Sequence, residues 1–196
     1  MTELSRESSS ALSSTSSTSK KDISTGNAAV LFKNMTVLDK LCYFLGVGLG
    51  SGLSPKAPGT AGSFLVLFFA PLWIFLGTYP SLGVIAIAAI IGIPICGRTA
   101  QLMGVHDDGR IVWDEFVGQS MVLMPMLALG KLTTFDGMTL INILIAFGLF
   151  RLFDIWKPWP IRYFDRNVHG GFGIMVDDIL AGLMAALAMW GYLLWI

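Results

Sequence analysis

RLFDIWKPWPIRYFDRNVHGGFGIMVDD, residues 151–178, holds eight charged residues and a histidine. An apolar run (138–153) leads into it and another (179–196) follows it. A charge removed from water is costly unless it is paired, bound to a metal or kept wet. The stretch therefore reads as a polar connection, or a working site, at the edge of a hydrophobic body. Apolar runs of this length around a charged connection are the pattern of membrane helices.

Composition extends that reading to the whole chain. Its 196 residues fit one domain. Hydrophobic residues make up 54% and charged ones 13%, against about 25% charged in an average soluble domain. Too few polar groups remain to cover a globular surface. Thirteen basic residues balance thirteen acidic ones, so there is no basic footprint for nucleic acid. Cys42 and Cys96 lack the spacing of a metal or redox motif and read as small buried hydrophobes.

Residues 1–34 are Ser/Thr-rich and are expected to form a disordered tail, with no apolar core of a signal peptide. Residues 35–196 are expected to form a helical membrane domain. Apolar runs at 61–79, 81–97, 116–129, 138–153 and 179–196 predict about four to five membrane-embedded helices, the third run being short. Lys33, Lys40 and Lys56 precede the first run. Arg98 and Arg110 follow the second, and Arg151, Lys157, Arg162 and Arg166 lie between the last two. The other connections carry no charge (GTYPS, 77–81) or Lys131 against Asp136. The positive-inside rule then places the N-terminus and both charged loops in the cytoplasm, with the C-terminus outside. On that topology the two polar loops share one face of the membrane and can meet.

The second loop is VHDDGRIVWDEFVG, residues 105–118. Beyond residue 40 there are nine acidic residues, and eight lie in these two segments, as do both histidines, His106 and His169. Such clustering points to a divalent cation, and the oxygen ligands suit Mg2+, which takes carboxylates, waters and substrate phosphate. Asp114, Glu115, Asp154, Asp177 and Asp178 are the candidate ligands. Carboxylates at helix starts are also favoured by the helix dipole, by about 0.3–1 kcal/mol each, which would account for Asp114, Glu115, Asp177 and Asp178 taken singly. Converging carboxylates repel one another, and a metal removes that objection.

Arg151, Lys157 and Arg166 are candidate phosphate-binding cations. Lys157 lies in WKPWP, whose prolines stop the helix and should leave it close to Asp154. Arg162, Asp165 and Arg166 equally fit an exposed helical ion-pair set. His169 is a candidate proton donor, or a hydrogen-bonding loop residue. GSGLSPKAPGTAGS, residues 50–63, offers backbone N–H groups beside Ser51, Ser54 and Thr60 as a phosphate cradle. It is not a Walker loop, and a plain turn capped by Thr60 or Ser63 fits as well. The motifs of cysteine phosphatases, aspartyl-phosphate hydrolases, histidine-nucleophile lipid phosphatases and CDP-alcohol transferases are absent. Metal-assisted attack by water remains, with Glu115, Asp178 and His169 as the catalytic candidates.

Residues 50–63, MGVHDDGRIVWDEFVG (103–118) and RLFDIWKPWPIRYFDRNVHGGFGIMVDDILAG (151–182) closely resemble phosphatidylglycerophosphatase A. The resemblance runs in order from about Leu41 to the C-terminus. It implies a Mg2+-dependent enzyme of the bacterial inner membrane that converts phosphatidylglycerol phosphate into phosphatidylglycerol and inorganic phosphate. An all-α fold is implied too, which leaves the short third run as either a core helix or a crossing. The rival reading is a small cation transporter, which predicts carboxylates deep within the spans.

Overall fold

In the computed structural model, residues 35–104 and 108–196 are described. The expected tail (1–34), His106 and Asp107 lie outside them. Thr36 opens the first helix: its Oγ1 accepts from the Asp39 backbone N–H at 3.1 Å, and Asp39 Oδ2 accepts from the Thr36 N–H at 3.3 Å, a reciprocal cap. Helix α1 (Val37–Gly46) ends where the glycines begin. Gly48, Leu49 and Gly50 take positive φ values of 54°, 57° and 99° within a short 3-10 segment, Gly48–Leu53.

Helix α2 (Pro58–Val66) starts on Pro58, with Ala57 as its N-cap and no side-chain cap. Proline suits the first helical position because its missing N–H would have no helical partner there. The expected cap by Thr60 or Ser63 is therefore not made; both lie inside the helix. A 3-10 turn (Leu67–Phe69) joins α2 to α3 (Ala70–Leu76). Then follow α4 (Thr78–Met103), α5 (Trp113–Ala128), α6 (Gly137–Trp156), α7 (Ile161–Asn167) and α8 (Gly170–Trp195). No strand occurs among the described residues, and the fold is all-α.

Four segments are long and apolar enough to cross a membrane: Pro58–Leu76, α4, α6 and α8. Helix α5 is the exception. Its 16 residues extend about 24 Å, short of the roughly 30 Å hydrocarbon core. Val117, Val122, Leu123 and Met126 are almost completely buried, so other helices enclose α5 and lipid does not.

Small residues let the helices close around it. An added Cβ at Gly118 would lie 2.7 Å from the Asp178 carbonyl, and one at Gly182 2.7 Å from the Gly118 carbonyl. One at Gly171 would lie 2.0 Å from the Ile93 carbonyl. Close backbone approach at glycine is the usual way membrane helices associate. These contacts, with Trp113 Nε1 donating to the Ala88 carbonyl at 3.1 Å, set α4 antiparallel to α5 and α8. Tyr192 donates to Asn142 Oδ1 at 3.3 Å, near the other end of the α6–α8 pair. That end begins α6 with an Asp136 cap, which accepts from the Thr139 N–H at 2.7 Å. The N-terminus of α5, the C-terminus of α6 and the first turns of α8 thus share one end of the bundle. Trp156 and Trp159 are exposed at that end, and Tyr79 and Trp195 at the other, as amphipathic rings are at membrane interfaces.

Gly171→Ala should destabilise the protein by about 1–3 kcal/mol through overpacking against backbone. Gly83→Ala, where an added Cβ meets nothing within 4 Å, should be neutral or stabilising by up to about 1 kcal/mol. Thermal melts of both variants in detergent check the difference.

Candidate functional site

Arg151 stands one turn before the end of α6 and reaches three elements. Its Nη1 lies 2.6 Å from Asp154 Oδ2 and 3.5 Å from Glu115 Oε1 in the first turn of α5. The same nitrogen donates to Ser63 Oγ of α2 at 3.4 Å, and Ser63 Oγ donates in turn to the Gly59 carbonyl at 2.9 Å. Helix α2 comes this close because its facing positions are glycine. A Cβ at Gly59 would lie 2.0 Å from Glu115 Oε1, and one at Gly62 3.1 Å from Glu115 Oε2.

A second knot forms around Lys157. This residue ends α6 with φ 45°, and the left-handed turn directs the chain into α7. Its ammonium pairs with Asp165 of α7 and, at 3.1 Å, with Asp177 Oδ2 of α8. Burial pulls the ammonium's pKa down, but hydrogen bonds and charge from Asp165 and Asp177 outweigh it and hold Lys157 above the usual lysine range. A cavity of about 90 Å3 beside this knot is lined by Asp165, His169, Gly170 and Asp177. That is room for about three waters.

Several buried polar atoms here have no hydrogen-bond partner among the described residues: Asp114 Oδ1, Glu115 Oε2, Asp177 Oδ1, Asp178 Oδ2 and Arg151 Nε. An unmatched buried polar group costs about 1–3 kcal/mol, more if charged. Glu115 and Asp114 lie outside the four spans. Burial, then the charge of Asp178, pushes the Glu115 carboxyl well above its ordinary pKa, with Arg151 opposing. Asp114 is raised first by burial and then by Glu115. Four unpartnered carboxylate oxygens are the donor type a hard divalent cation takes, so these residues fit Mg2+ in kind. Among the described residues, no three His, Cys, Asp or Glu side chains are already gathered closely enough to hold a metal ion.

The expected site residues divide between the two knots. Glu115, Arg151 and Asp154 meet in the first, while Lys157 and Asp177 meet in the second. Lys157 was expected beside Asp154, but Arg151 takes that carboxylate and the left-handed turn sends Lys157 to α7 and α8. Asp165 joins Lys157 rather than a helical set with Arg162 and Arg166; Arg162 donates to the Trp156 carbonyl at 3.4 Å instead. Asp177 and Asp178 do not open a helix. Helix α8 begins at Gly170, two turns earlier, so the dipole does not explain them. Arg166 and His169 are exposed, and His169 lines the small cavity. Ser51 donates to the Gly48 carbonyl at 2.8 Å, a local turn bond. Ser54 is half-buried ahead of α2 and Thr60 half-buried within its first turn.

The sequence placed Asp165 only in an ion-pair set with Arg162 and Arg166, and it gave Gln119 no role. Gln119 lies one turn below Glu115 on α5, fully buried, with neither amide atom partnered among the described residues. A lone amide within the apolar run 116–129 was the available signal. Asp108 leaves the acidic cluster: it holds Arg110 through two side-chain bonds, at 2.8 and 2.5 Å.

Interior helices closed on glycine, with ionic knots confined to one end, define a membrane-embedded helical protein with a carboxylate-rich interfacial site. The chain belongs to the phosphatidylglycerophosphatase A family, whose model matches residues 44–193. It is 49% identical to phosphatidylglycerophosphatase A of Escherichia coli (strain K12) over 144 residues, covering 74% of this chain and 78% of the relative. It is 42% identical to the Haemophilus influenzae protein of the same name over 164 residues, covering 83% and 94%. A Bacteroides thetaiotaomicron relative, provisionally named a phosphatidylinositol-3-phosphatase, is 38% identical over 161 residues, covering 76% and 94%. No solved structure matches.

The Arg110 hydrogen bonds hold the Asp108 carboxyl below the usual carboxylate range, against a smaller effect of burial. The stabilisation this gives is full above the unfolded pKa of about 3.9 and is lost as pH falls through the lower native value. Asp108→Asn should therefore cost about 0.2–1 kcal/mol at pH 7, as an exposed pair does. Melts of the two proteins should converge at strongly acidic pH.

Proposed function

We propose that the chain is a Mg2+-dependent phosphatidylglycerophosphatase. It would hydrolyse phosphatidylglycerol phosphate to phosphatidylglycerol and inorganic phosphate in phospholipid biosynthesis. Its polar end would face the cytoplasm from the bacterial inner membrane, the orientation favoured by the basic loops. The observation that carries the reading is the 49% identity to the E. coli enzyme, within a matched region that contains both ionic knots.

Asp114, Glu115, Asp154, Asp177 and Asp178 would hold Mg2+; the unpartnered oxygens on four of them support this assignment. Bound there, the ion would offset the charge of phosphate and carboxylates and polarise the phosphoryl oxygens. Arg151 and Lys157 would orient the phosphate, with Arg166, Ser51, Ser54 and Thr60 at the margin of the site. Water attacks phosphorus, the bond to the glycerol oxygen breaks, and that oxygen leaves as the alcohol after taking a proton. Glu115 and Asp178 are the candidates to accept the proton of the attacking water. His169, at the cavity beside Asp165 and Asp177, is the candidate to give that proton to the leaving glycerol oxygen. Most of the acceleration would come from charge stabilisation around the phosphoryl group.

Nothing favours the transporter alternative. Although Asp177 and Asp178 lie inside α8, residues 179–196 carry no charge, nor do 116–130 or 137–150. A cation would have no charged stepping stone toward the other end of the bundle.

Purified protein in mixed micelles should release phosphate from phosphatidylglycerol phosphate with Mg2+ and lose that activity in excess EDTA. Glu115→Gln and Asp178→Asn should each lower kcat by about 100-fold or more. Full turnover in EDTA would remove the metal from the scheme. Faster hydrolysis of phosphatidylinositol 3-phosphate than of phosphatidylglycerol phosphate would reassign the substrate.

A further inference from the structure

Helix α6 carries an apolar stripe that leads to Arg151. Leu140, Leu144, Gly148 and Ile155 follow one another at spacings of four, four and seven residues, so they share one face. The lower part of this face closes a crevice of about 540 Å3 with Phe64 and Phe68 of the neighbouring span. The upper part forms an open recess of about 820 Å3 lined by Gly148, Arg151, Leu152, Ile155 and Trp156. Leu144 of the first and Gly148 of the second are one helical turn apart, and an added Cβ at Gly148 would meet nothing within 4 Å. From Leu140 to Arg151 the helix rises about 16 Å, close to the depth of one leaflet, half of the roughly 30 Å core. Arg151 stands at the top of the stripe, ion-paired with Asp154 and Glu115 and in contact with Ser63, and its Nε has no hydrogen-bond partner among the described residues.

We infer that this face of α6 is the seat of one acyl chain of the phospholipid substrate, and that Gly148 keeps the seat open. The inference rests on the phosphatase reading for the identity of the head group. An anionic lipid lying in the groove has its tail along Leu140–Gly148 and its phosphate level with Arg151. The spare guanidinium donor of Arg151 and the leaflet-matched length of the stripe together select a lipid standing in its own leaflet. The substrate then reaches the site sideways from the bilayer and need not leave it.

The test compares Gly148→Trp with Gly83→Trp, which adds the same bulk to an open position on α4. Each variant is checked by thermal melting and assayed on long-chain and on soluble dihexanoyl phosphatidylglycerol phosphate. Gly148→Trp should raise KM for the long-chain lipid by about tenfold or more, the loss of roughly two buried methylenes. Its kcat, and its turnover of the dihexanoyl substrate, should stay close to wild type. Gly83→Trp should change neither. Equal effects of Gly148→Trp on both substrates, or none on either, would overturn the seat.

A second readout needs no turnover, so failure of the phosphatase reading can be told apart from failure of the groove. Phosphatidic acid with a photoactivatable acyl diazirine should label residues 140–155 in the wild type. Gly148→Trp should suppress that labelling and Gly83→Trp should not. Labelling spread evenly over α4, α6 and α8 means ordinary annular lipid and refutes the proposal.

Discussion

Arg151 is the constraint around which the polar end is built. One guanidinium stands between Asp154 on its own helix and Glu115 on α5, and it reaches Ser63 on α2. All three side chains of this ionic contact are at most one-sixth exposed. In such surroundings charges interact far more strongly than in water, and removing one partner strands the others at a cost of about 3–5 kcal/mol. The arrangement therefore ties together the ends of three segments that are far apart in sequence. It also leaves unspent polar capacity, in Arg151 Nε and in one oxygen each of Asp114, Glu115 and Asp178. A purely structural knot would be expected to satisfy those groups internally. Their openness is what marks the region as the candidate site.

Glycine makes the knot possible. Gly59 and Gly62 give Glu115 its place against α2, while Gly118 and Gly182 bring α5 and α8 into backbone contact just below it. A side chain at these positions would separate the helices by more than a carboxylate–guanidinium contact tolerates. The packing of the bundle and the chemistry of its polar end are thus one problem. Helix α5 is too short to span a bilayer, yet it is the best-buried helix because it carries the first-turn acids to the centre of the others.

Much of this was legible in the chain itself. Hydropathy determined a helical membrane protein, since apolar runs of 16–20 residues can satisfy their backbone only as helices in lipid. The clustering of acids in 105–118 and 151–178 determined that one end of the bundle would be polar. The long motifs around them determined the family. The proline at position 58 marked the true start of α2, although the hydroxyls at 60 and 63 were the more obvious caps.

Tertiary structure decided the pairings. Sequence proximity suggested Lys157 for Asp154, but Arg151 is one helical turn away on the same face, and the left-handed residue at 157 turns the lysine toward Asp165 and Asp177. The start of α8 at Gly170 was hidden by the polar character of 165–171, so Asp177 and Asp178 looked like a helix opening when they lie two turns inside. Gln119 gained its meaning only from burial beneath Glu115. Periodicity and composition report which face of a helix is apolar. Which charged atoms meet depends on helix rotation and close approach, and here those are set by glycines whose contacts are all long-range.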